Sequence, residues 1–422
     1  MCVDASLCVP RHHVVAWLSI CTTALTLMAA VVIFMADVPY NQAAYQRAVQ
    51  VADGVCGHTS PNPAVGAVVV RDGVIIAWGA TQPPGHAHAE RQALAHAGTQ
   101  AHGADLYVTL EPCTFHGRTP PCTDAIIGAG IARVFYVMRD PDPRMGHGAA
   151  HILNQHGIQC IQITAADDRV KLQLAPFFMR IQKQRPWLTW KYAMSLDGKI
   201  ATHTGVSQWI SSSTSRTIVH RIRGQVDAIM TGSGTVCADN PQLTVRLADT
   251  VVASQPLRVV IDSQGRSPVH ARMFNDHAAQ TMLFCSVDAA YTWQQALVQR
   301  GVQVICQPQA GPINLQAVMH HLHRSGINHV LLEAGAGLAG ACADAQLIDE
   351  IHCFMAPGII GGSQAPSPLA GTGRATLHDW REFRIINQQF LDGDIHLHAV
   401  HTHIDTLFTT AHQGAPICLP AS

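Results

Sequence analysis

His88-Ala89-Glu90, followed by Pro112-Cys113 and then by Cys122, constrains the fold more than any other feature, because side chains up to 34 residues apart must converge on one ion. A catalytic zinc takes three protein ligands and keeps one position for water, whose pKa falls toward neutrality. Glu90, two residues past the histidine, is then off the metal and placed to shuttle protons. That combination points to hydrolytic deamination. A structural zinc would take four protein ligands and need no glutamate beside the histidine. His86 could stand in for His88, but it lacks a glutamate two residues on, so His88 is the stronger candidate.

Residues 114–121 separate the two cysteines, where nucleobase deaminases usually carry P-C-x-x-C. The insert reads as a substrate loop: Gly117 lets it turn, His116 and Arg118 offer donors, and Pro120 and Pro121 stiffen the approach to Cys122. Cys122 is expected to open one helix, and His88 to sit at the start of another. Both placements use the helix dipole, which favours thiolate over thiol. Upstream, residues 59–70 read as a rigid turn feeding a buried strand. Pro61 and Pro63 flank Asn62, whose amide can read a ring's donor and acceptor edge; taken alone, the stretch also reads as an Asx turn.

The rest of this half alternates strand-like runs at 65–70, 74–77, 105–110 and 134–138 with helical stretches at 42–52, 90–97 and after Cys122, which predicts an α/β layer structure. Asp140-Pro141-Asp142-Pro143 breaks the chain, and 176–186 reads as a linker. At 422 residues the chain has room for two or three domains. A net charge of -1 leaves no electrostatic footprint for nucleic acid, so a small-molecule substrate is favoured. Of thirteen cysteines only Cys113 and Cys122 have ligand-like spacing; the others read as free buried thiols of a reducing compartment. Residues 14–36 stand apart as an uncharged, mostly apolar run long enough to span a bilayer. It reads either as an anchor or as the product of a start assigned upstream of Met35, with a cleaved signal peptide disfavoured.

Two glycine-rich turns follow strand-like runs in the second half, Thr231-Gly232-Ser233-Gly234-Thr235 and Glu333-Ala334-Gly335-Ala336-Gly337-Leu338. Either could present backbone N–H groups to a phosphate, and either is equally a tight strand-to-helix turn. Neither completes the Rossmann fingerprint.

The chain resembles the bifunctional riboflavin-biosynthesis deaminase/reductase family. The resemblance rests on Pro61-Asn62-Pro63-Ala64-Val65-Gly66, His88-Ala89-Glu90 and Leu110-Glu111-Pro112-Cys113-Thr114-Phe115-His116-Gly117-Arg118-Thr119-Pro120-Pro121-Cys122. It continues in Lys191-Tyr192-Ala193-Met194-Ser195-Leu196-Asp197-Gly198-Lys199, Ser207-Gln208-Trp209-Ile210-Ser211 and Asp239-Asn240-Pro241-Gln242-Leu243-Thr244-Val245-Arg246. It implies a cytidine-deaminase-like three-layer domain over 37–180, then a dihydrofolate-reductase-like domain over 185–400, with an extension at 1–36 and a tail at 401–422. For the first domain it implies Zn2+ on His88, Cys113 and Cys122, Glu90 as the catalytic acid/base, and substrate contacts from Asn62, His116 and Arg118. For the second it implies NADPH on Ala193, Trp209, Thr235, Asp239, Gly335, Ala336, Gly337 and Leu338. Substrate there would meet Ser207, Arg223, Leu243, Arg246 and Glu333, the two arginines holding a ribose phosphate bidentately. Ala334 stands where the family commonly has glycine.

The implied activity is removal of an amine from a diaminopyrimidinone ribosylamine phosphate, then NADPH-dependent reduction of its ribosyl group, in a cytoplasmic enzyme unless the apolar run is an anchor. A homo-oligomer is compatible with the sequence and not fixed by it. Two rivals stay open at this point, a nucleoside or tRNA deaminase with an accessory domain and a non-catalytic membrane-attached zinc protein.

Overall fold

The computed structural model describes residues 40–164, 168–247, 254–378 and 380–409, and the apolar run at 14–36 lies outside them. Among the described residues no helix is long and apolar enough to cross a membrane.

The first sheet contains β1 (Gly66–Arg71), β2 (Val74–Ala80), β3 (Asp105–Leu110), β4 (Arg133–Met138) and β5 (Gln159–Gln162), in the order β2-β1-β3-β4-β5. β1 is antiparallel to β2 and β3, whereas β3, β4 and β5 run parallel. Five successive residues of β1 are buried, which requires cover on both faces. Two glycines show what supplies it. Gly66 pairs with Ala80 and Ala67 with Gly79, so Gly66 and Gly79 face opposite sides. A side chain at Gly66 would run into the Ala48 carbonyl of α1 (Gln42–Asp53). One at Gly79 would come 2.5 Å from the Ala89 carbonyl of α2 (Ala89–Ala97). Helix, sheet and helix therefore stack as the three expected layers. His88 is the N-cap of α2 and Cys122 the first residue of α3 (Cys122–Gly128). The sequence reading missed α4 (Ala149–Gln155) and β5, two short elements with few buried side chains to give them a period.

After α5 (Asp168–Lys183) comes a nine-stranded sheet, built from β6 (Trp187–Ser195), β7 (Ala228–Gly232), β8 (Leu257–Ile261), β9 (Thr281–Ser286), β10 (Gln303–Gln307), β11 (His329–Leu332), β12 (Glu350–Ala356), β13 (Phe383–Leu391) and β14 (Asp394–His401). The order is β10-β9-β8-β7-β11-β6-β12-β14-β13, parallel from β10 to β12 and closed by an antiparallel hairpin. Alternate residues of the central strands feed two cores. Ala228, Met230, Val259 and Leu332 belong to one, and Ile229, Val260, Leu331 and Phe354 to the other. Five helices pass between the strands: α6 (Ser213–Arg223), α7 (Ser233–Asp239), α8 (Tyr291–Val298), α9 (Leu315–Arg324) and α10 (Ala336–Asp344). α7 and α10 begin just beyond the carboxyl ends of the paired strands β7 and β11. Open α/β sheets bind ligands at that edge.

Three expectations need correction. Residues 176–183 of the expected linker 176–186 are the second half of α5, with Pro176 inside it. The hydrogen bond lost to proline costs about 3 kcal/mol, and burial of Phe177 and Phe178, at roughly 1.5–3 kcal/mol each, offsets it. Within the expected tail, α11 (His403–Thr409) packs on the body of the protein, its Phe408 ring 4.4 Å from that of Phe178. The nine cysteines among the described residues are all free, but Cys237 and Cys306 are exposed rather than buried.

Candidate active sites

His88, Cys113 and Cys122 meet at the amino ends of α2 and α3, with Cys113 arriving from the loop after β3. His88 Nδ1 lies 3.6 Å from Cys113 Sγ and 3.3 Å from Cys122 Sγ. Zinc–nitrogen and zinc–sulfur bonds at the tetrahedral angle place such atoms roughly 3.5 Å apart. The donor set and its spacing thus fit zinc, with Nδ1 as the histidine ligand. The outer nitrogen, Nε2, is 3.4 Å from Thr119 Oγ1, a partner on the insert that the sequence reading did not single out. The Cys122 amide donates to Cys113 Sγ at 3.3 Å. The hydrogen bond between the two thiols lowers Cys113, helped by His88, and raises Cys122, so the pair shares one proton more readily than it gives up two.

Glu90 sits in the first turn of α2 and is 4% exposed. Burial pushes its carboxyl above the ordinary range, against the pull of His88. Glu111, quoted only as part of a motif, is a brace: Oε1 accepts from the Ala149 amide at 2.7 Å, tying the loop before Cys113 to α4. In the insert His116 and Arg118 are exposed, while Phe115 packs on the cysteine cluster under the Arg144 guanidinium, 4.1 Å from the ring centre. Asn62 follows the cis Ser60-Pro61 bond and is half-buried. Its carbonyl accepts from Thr59 Oγ1 at 3.0 Å, and the residue lines a cavity shared with Asn328 and Glu350, away from the cysteine cluster.

The second candidate is a cavity of about 1310 Å³ at the carboxyl edge of the nine-stranded sheet. Every reductase residue expected from the sequence lines it: Ala193, Ser207, Trp209, Arg223, Thr235, Asp239, Leu243, Arg246, Glu333, Gly335, Ala336, Gly337 and Leu338. The two glycine-rich turns are therefore neighbours rather than alternatives. The Gly335 amide donates to Thr235 Oγ1 at 3.1 Å, joining the start of α10 to the first turn of α7. Ser207 Oγ donates to Asp239 Oδ1 at 2.9 Å, and Trp209 is 70% exposed, its ring centre 4.6 Å from the Arg216 guanidinium.

Arg223 differs from expectation. Its fork is already closed on Glu333, at 2.6 Å through Nε and 2.9 Å through Nη2, and Nη1 donates to the Thr244 carbonyl. Burial would raise Glu333, but the charge and hydrogen bonds of Arg223, with Lys191 behind them, hold it at about 2. An arginine so engaged orients its neighbours instead of gripping a phosphate in both arms. Arg246 is exposed and its Nη1 bonds only neutral oxygens, of Gln242 and Thr244. Lys191, Arg216, Arg266 and Arg272 line the same space, giving six cations against the carboxylates of Asp239 and Glu333. The sequence reading had no signal for Arg216, Arg266 or Arg272, since their convergence depends on the strand order.

Two family profiles match the chain: "Cytidine and deoxycytidylate deaminase zinc-binding region" over residues 39–138 and "RibD C-terminal domain" over 186–397. The riboflavin biosynthesis protein RibD of Actinobacillus pleuropneumoniae is 36% identical over 86% of this chain and 94% of its own length. RibD of Escherichia coli is 38% identical over 81% and 94%. Among solved structures, a diaminohydroxyphosphoribosylaminopyrimidine deaminase/5-amino-6-(5-phosphoribosylamino)uracil reductase from Thermotoga maritima superposes with a TM-score of 0.74 at 33% identity, covering 86% of this chain and 98% of that one. Acinetobacter baumannii RibD gives 0.75 at 33% identity, over 86% and 99%.

Proposed function

The chain belongs to the RibD family, and on that premise we propose that its two sites act in turn on one phosphorylated pyrimidine. It is a bifunctional deaminase and reductase of riboflavin biosynthesis. The first substrate is 2,5-diamino-6-(5-phosphoribosylamino)pyrimidin-4(3H)-one, in line with the name of the Thermotoga protein. The deaminase spans 37–180 and the reductase 185–400, and both work in the cytoplasm, where nucleotide-derived substrate and NADPH are at hand. Matches over most of the chain do not favour a tRNA deaminase or a non-catalytic zinc protein.

The observation that carries the deaminase reading is the convergence of one imidazole nitrogen and two sulfurs at zinc spacing beside buried Glu90. Zinc, when bound by His88, Cys113 and Cys122, supplies Lewis acidity at its open position. Glu90 moves two protons in turn: the first passes from the attacking water to the ring nitrogen as the C–O bond forms, and the second passes from the added hydroxyl to the amine, which leaves as ammonia as the carbonyl forms. His116 and Arg118, exposed on the loop between the two cysteines, hold the pyrimidine. In the second site NADPH supplies the hydride. The turns around Thr235 and at Gly335, Ala336, Gly337 and Leu338 present backbone N–H groups and helix amino ends to its phosphates. Ala193, Trp209 and Asp239 complete its binding. Ser207, Leu243 and Arg246 hold the ribosyl phosphate, with Arg223 and Glu333 as an oriented pair beside it.

The test supplies purified protein with the diaminopyrimidinone phosphate, Zn2+ and NADPH, and follows ammonia release and NADPH oxidation separately. Both signals are expected, ammonia first. NADPH consumption without ammonia, or neither signal from metal-replete protein, would overturn the scheme.

A further inference from the structure

A second constellation, Glu350, His352 and His398, lies on the nine-stranded sheet, far along the chain from the first. Glu350 and His352 are alternate residues of β12 and so share a face, and His398 on β14 is directly opposite His352 in the ladder. His352 Nε2 is 3.4 Å from Glu350 Oε1, close to the roughly 3.4 Å expected between nitrogen and oxygen ligands of one tetrahedral ion, whereas His398 Nε2 is hydrogen-bonded to the same oxygen at 2.6 Å and must draw back as an ion replaces the shared proton.

The surroundings divide the carboxylate into a held end and an offered end. Oε2 accepts from Trp187 Nε1 at 2.8 Å and from Thr189 Oγ1 at 2.6 Å, whereas Oε1 faces only the two imidazoles. His352 is oriented from behind, its Nδ1 lying 2.9 Å from His396 Nε2. Fixing ligands through their far atoms is what outer partners do in metal sites. The cluster opens on a cavity of about 260 Å³ shared with Ser60 and Asn62 of the deaminase half. In that cavity wall Asn328, 2% exposed, has an Oδ1 with no hydrogen-bond partner among the described residues. An ordered water there would satisfy it.

We propose that Glu350, His352 and His398 form a second divalent-metal site, of the two-histidine, one-carboxylate class that suits zinc, with its remaining position open to water in the seam between the two catalytic halves. The site is independent of the cysteine cluster. A plain hydrogen-bonded network is the competing account, and it predicts no metal.

Full-length protein is stripped with a chelator, reloaded with Zn2+, desalted and assayed for bound zinc, and crystals are measured across the zinc absorption edge. Two zinc ions per chain are expected, one with an anomalous peak between Glu350, His352 and His398. His352→Gln combined with His398→Gln drops the content to one while ammonia release stays within about twofold. Cys113→Ser combined with Cys122→Ser removes the other ion and leaves the peak at Glu350. One zinc per wild-type chain, confined to the cysteine cluster, overturns the proposal, as does a histidine double variant that still binds two. If that variant does not fold, the position of the wild-type anomalous peaks decides alone.

Discussion

The two catalytic halves solve opposite problems. In the proposed deaminase site His88, Cys113, Cys122 and Glu90 are buried or half-buried and held by the amino ends of two helices and the loop after β3. The reductase cavity is wide, carries six cationic side chains, and leaves a tryptophan ring mostly in solvent. Its order comes from one ion pair, Arg223 with Glu333, and a few hydrogen bonds between neighbouring turns. The difference teaches that the first site is a compact set of metal-type donors beside one buried carboxyl, whereas the second is a wide cavity dominated by positive charge. Substitutions in the first should therefore act on turnover, and those in the second on stability and binding.

The strongest test of that division is Glu90→Gln. The amide keeps the volume and the buried position but cannot accept the proton, so ammonia release is expected to fall by about 10²–10⁴-fold. Zinc content should be unchanged, and NADPH oxidation with the deaminated intermediate should proceed at the wild-type rate. A mutant that releases ammonia normally would remove Glu90 from its role. Glu333→Ala comes next and should act through stability. It leaves the Arg223 guanidinium enclosed and unpaired, at a cost of about 3–5 kcal/mol, measured by chemical denaturation of the reductase half. The same pair fixes a pH dependence. The folded Glu333 carboxyl is held near 2, below its ordinary value, so its stabilisation is complete above about pH 4.5 and drains away as pH falls toward 2. Acid unfolding of the wild type should show this loss, and the alanine variant should be flatter across that window.

Legibility followed the same division. The deaminase ligands could be read because their chemistry needs particular side chains at short separations, and helix starts at His88 and Cys122 follow from local sequence. The cavity residues could be read only through long motifs resembling a family, since Ala193, Arg246 and Gly335 come together through the strand order β8-β7-β11-β6. Arg216, Arg266 and Arg272 carry no local mark at all. The helix at 176–183 was missed because proline speaks of the backbone alone, while the aromatic burial that overrides it depends on a distant partner, Phe408. Glu350, His352 and His398 were missed for a similar reason: alternate residues on one strand mean little until a second strand supplies the third ligand.

A smaller effect is expected at Arg246, whose guanidinium is exposed and bonded only to neutral oxygens. Arg246→Ala should raise KM for the phosphorylated substrate roughly tenfold to a hundredfold, the worth of a charge-assisted hydrogen bond of about 1.5–3 kcal/mol, with kcat nearly unchanged. A kcat loss without a KM change would move Arg246 from binding into chemistry and blur the contrast between the halves.

The smallest change probes whether the cavity is shaped by its turns. Thr235→Val keeps the side-chain shape and removes the acceptor that the Gly335 amide uses. The amide is near solvent and can turn to water, so the loss is about 1 kcal/mol and no general unfolding should follow. NADPH binding should weaken roughly fivefold by direct titration, because the two glycine-rich turns are no longer pinned to each other where the dinucleotide phosphates would lie. Ammonia release, some distance along the chain in a different sheet, should not respond. If NADPH affinity is untouched, the turns hold their positions through packing alone.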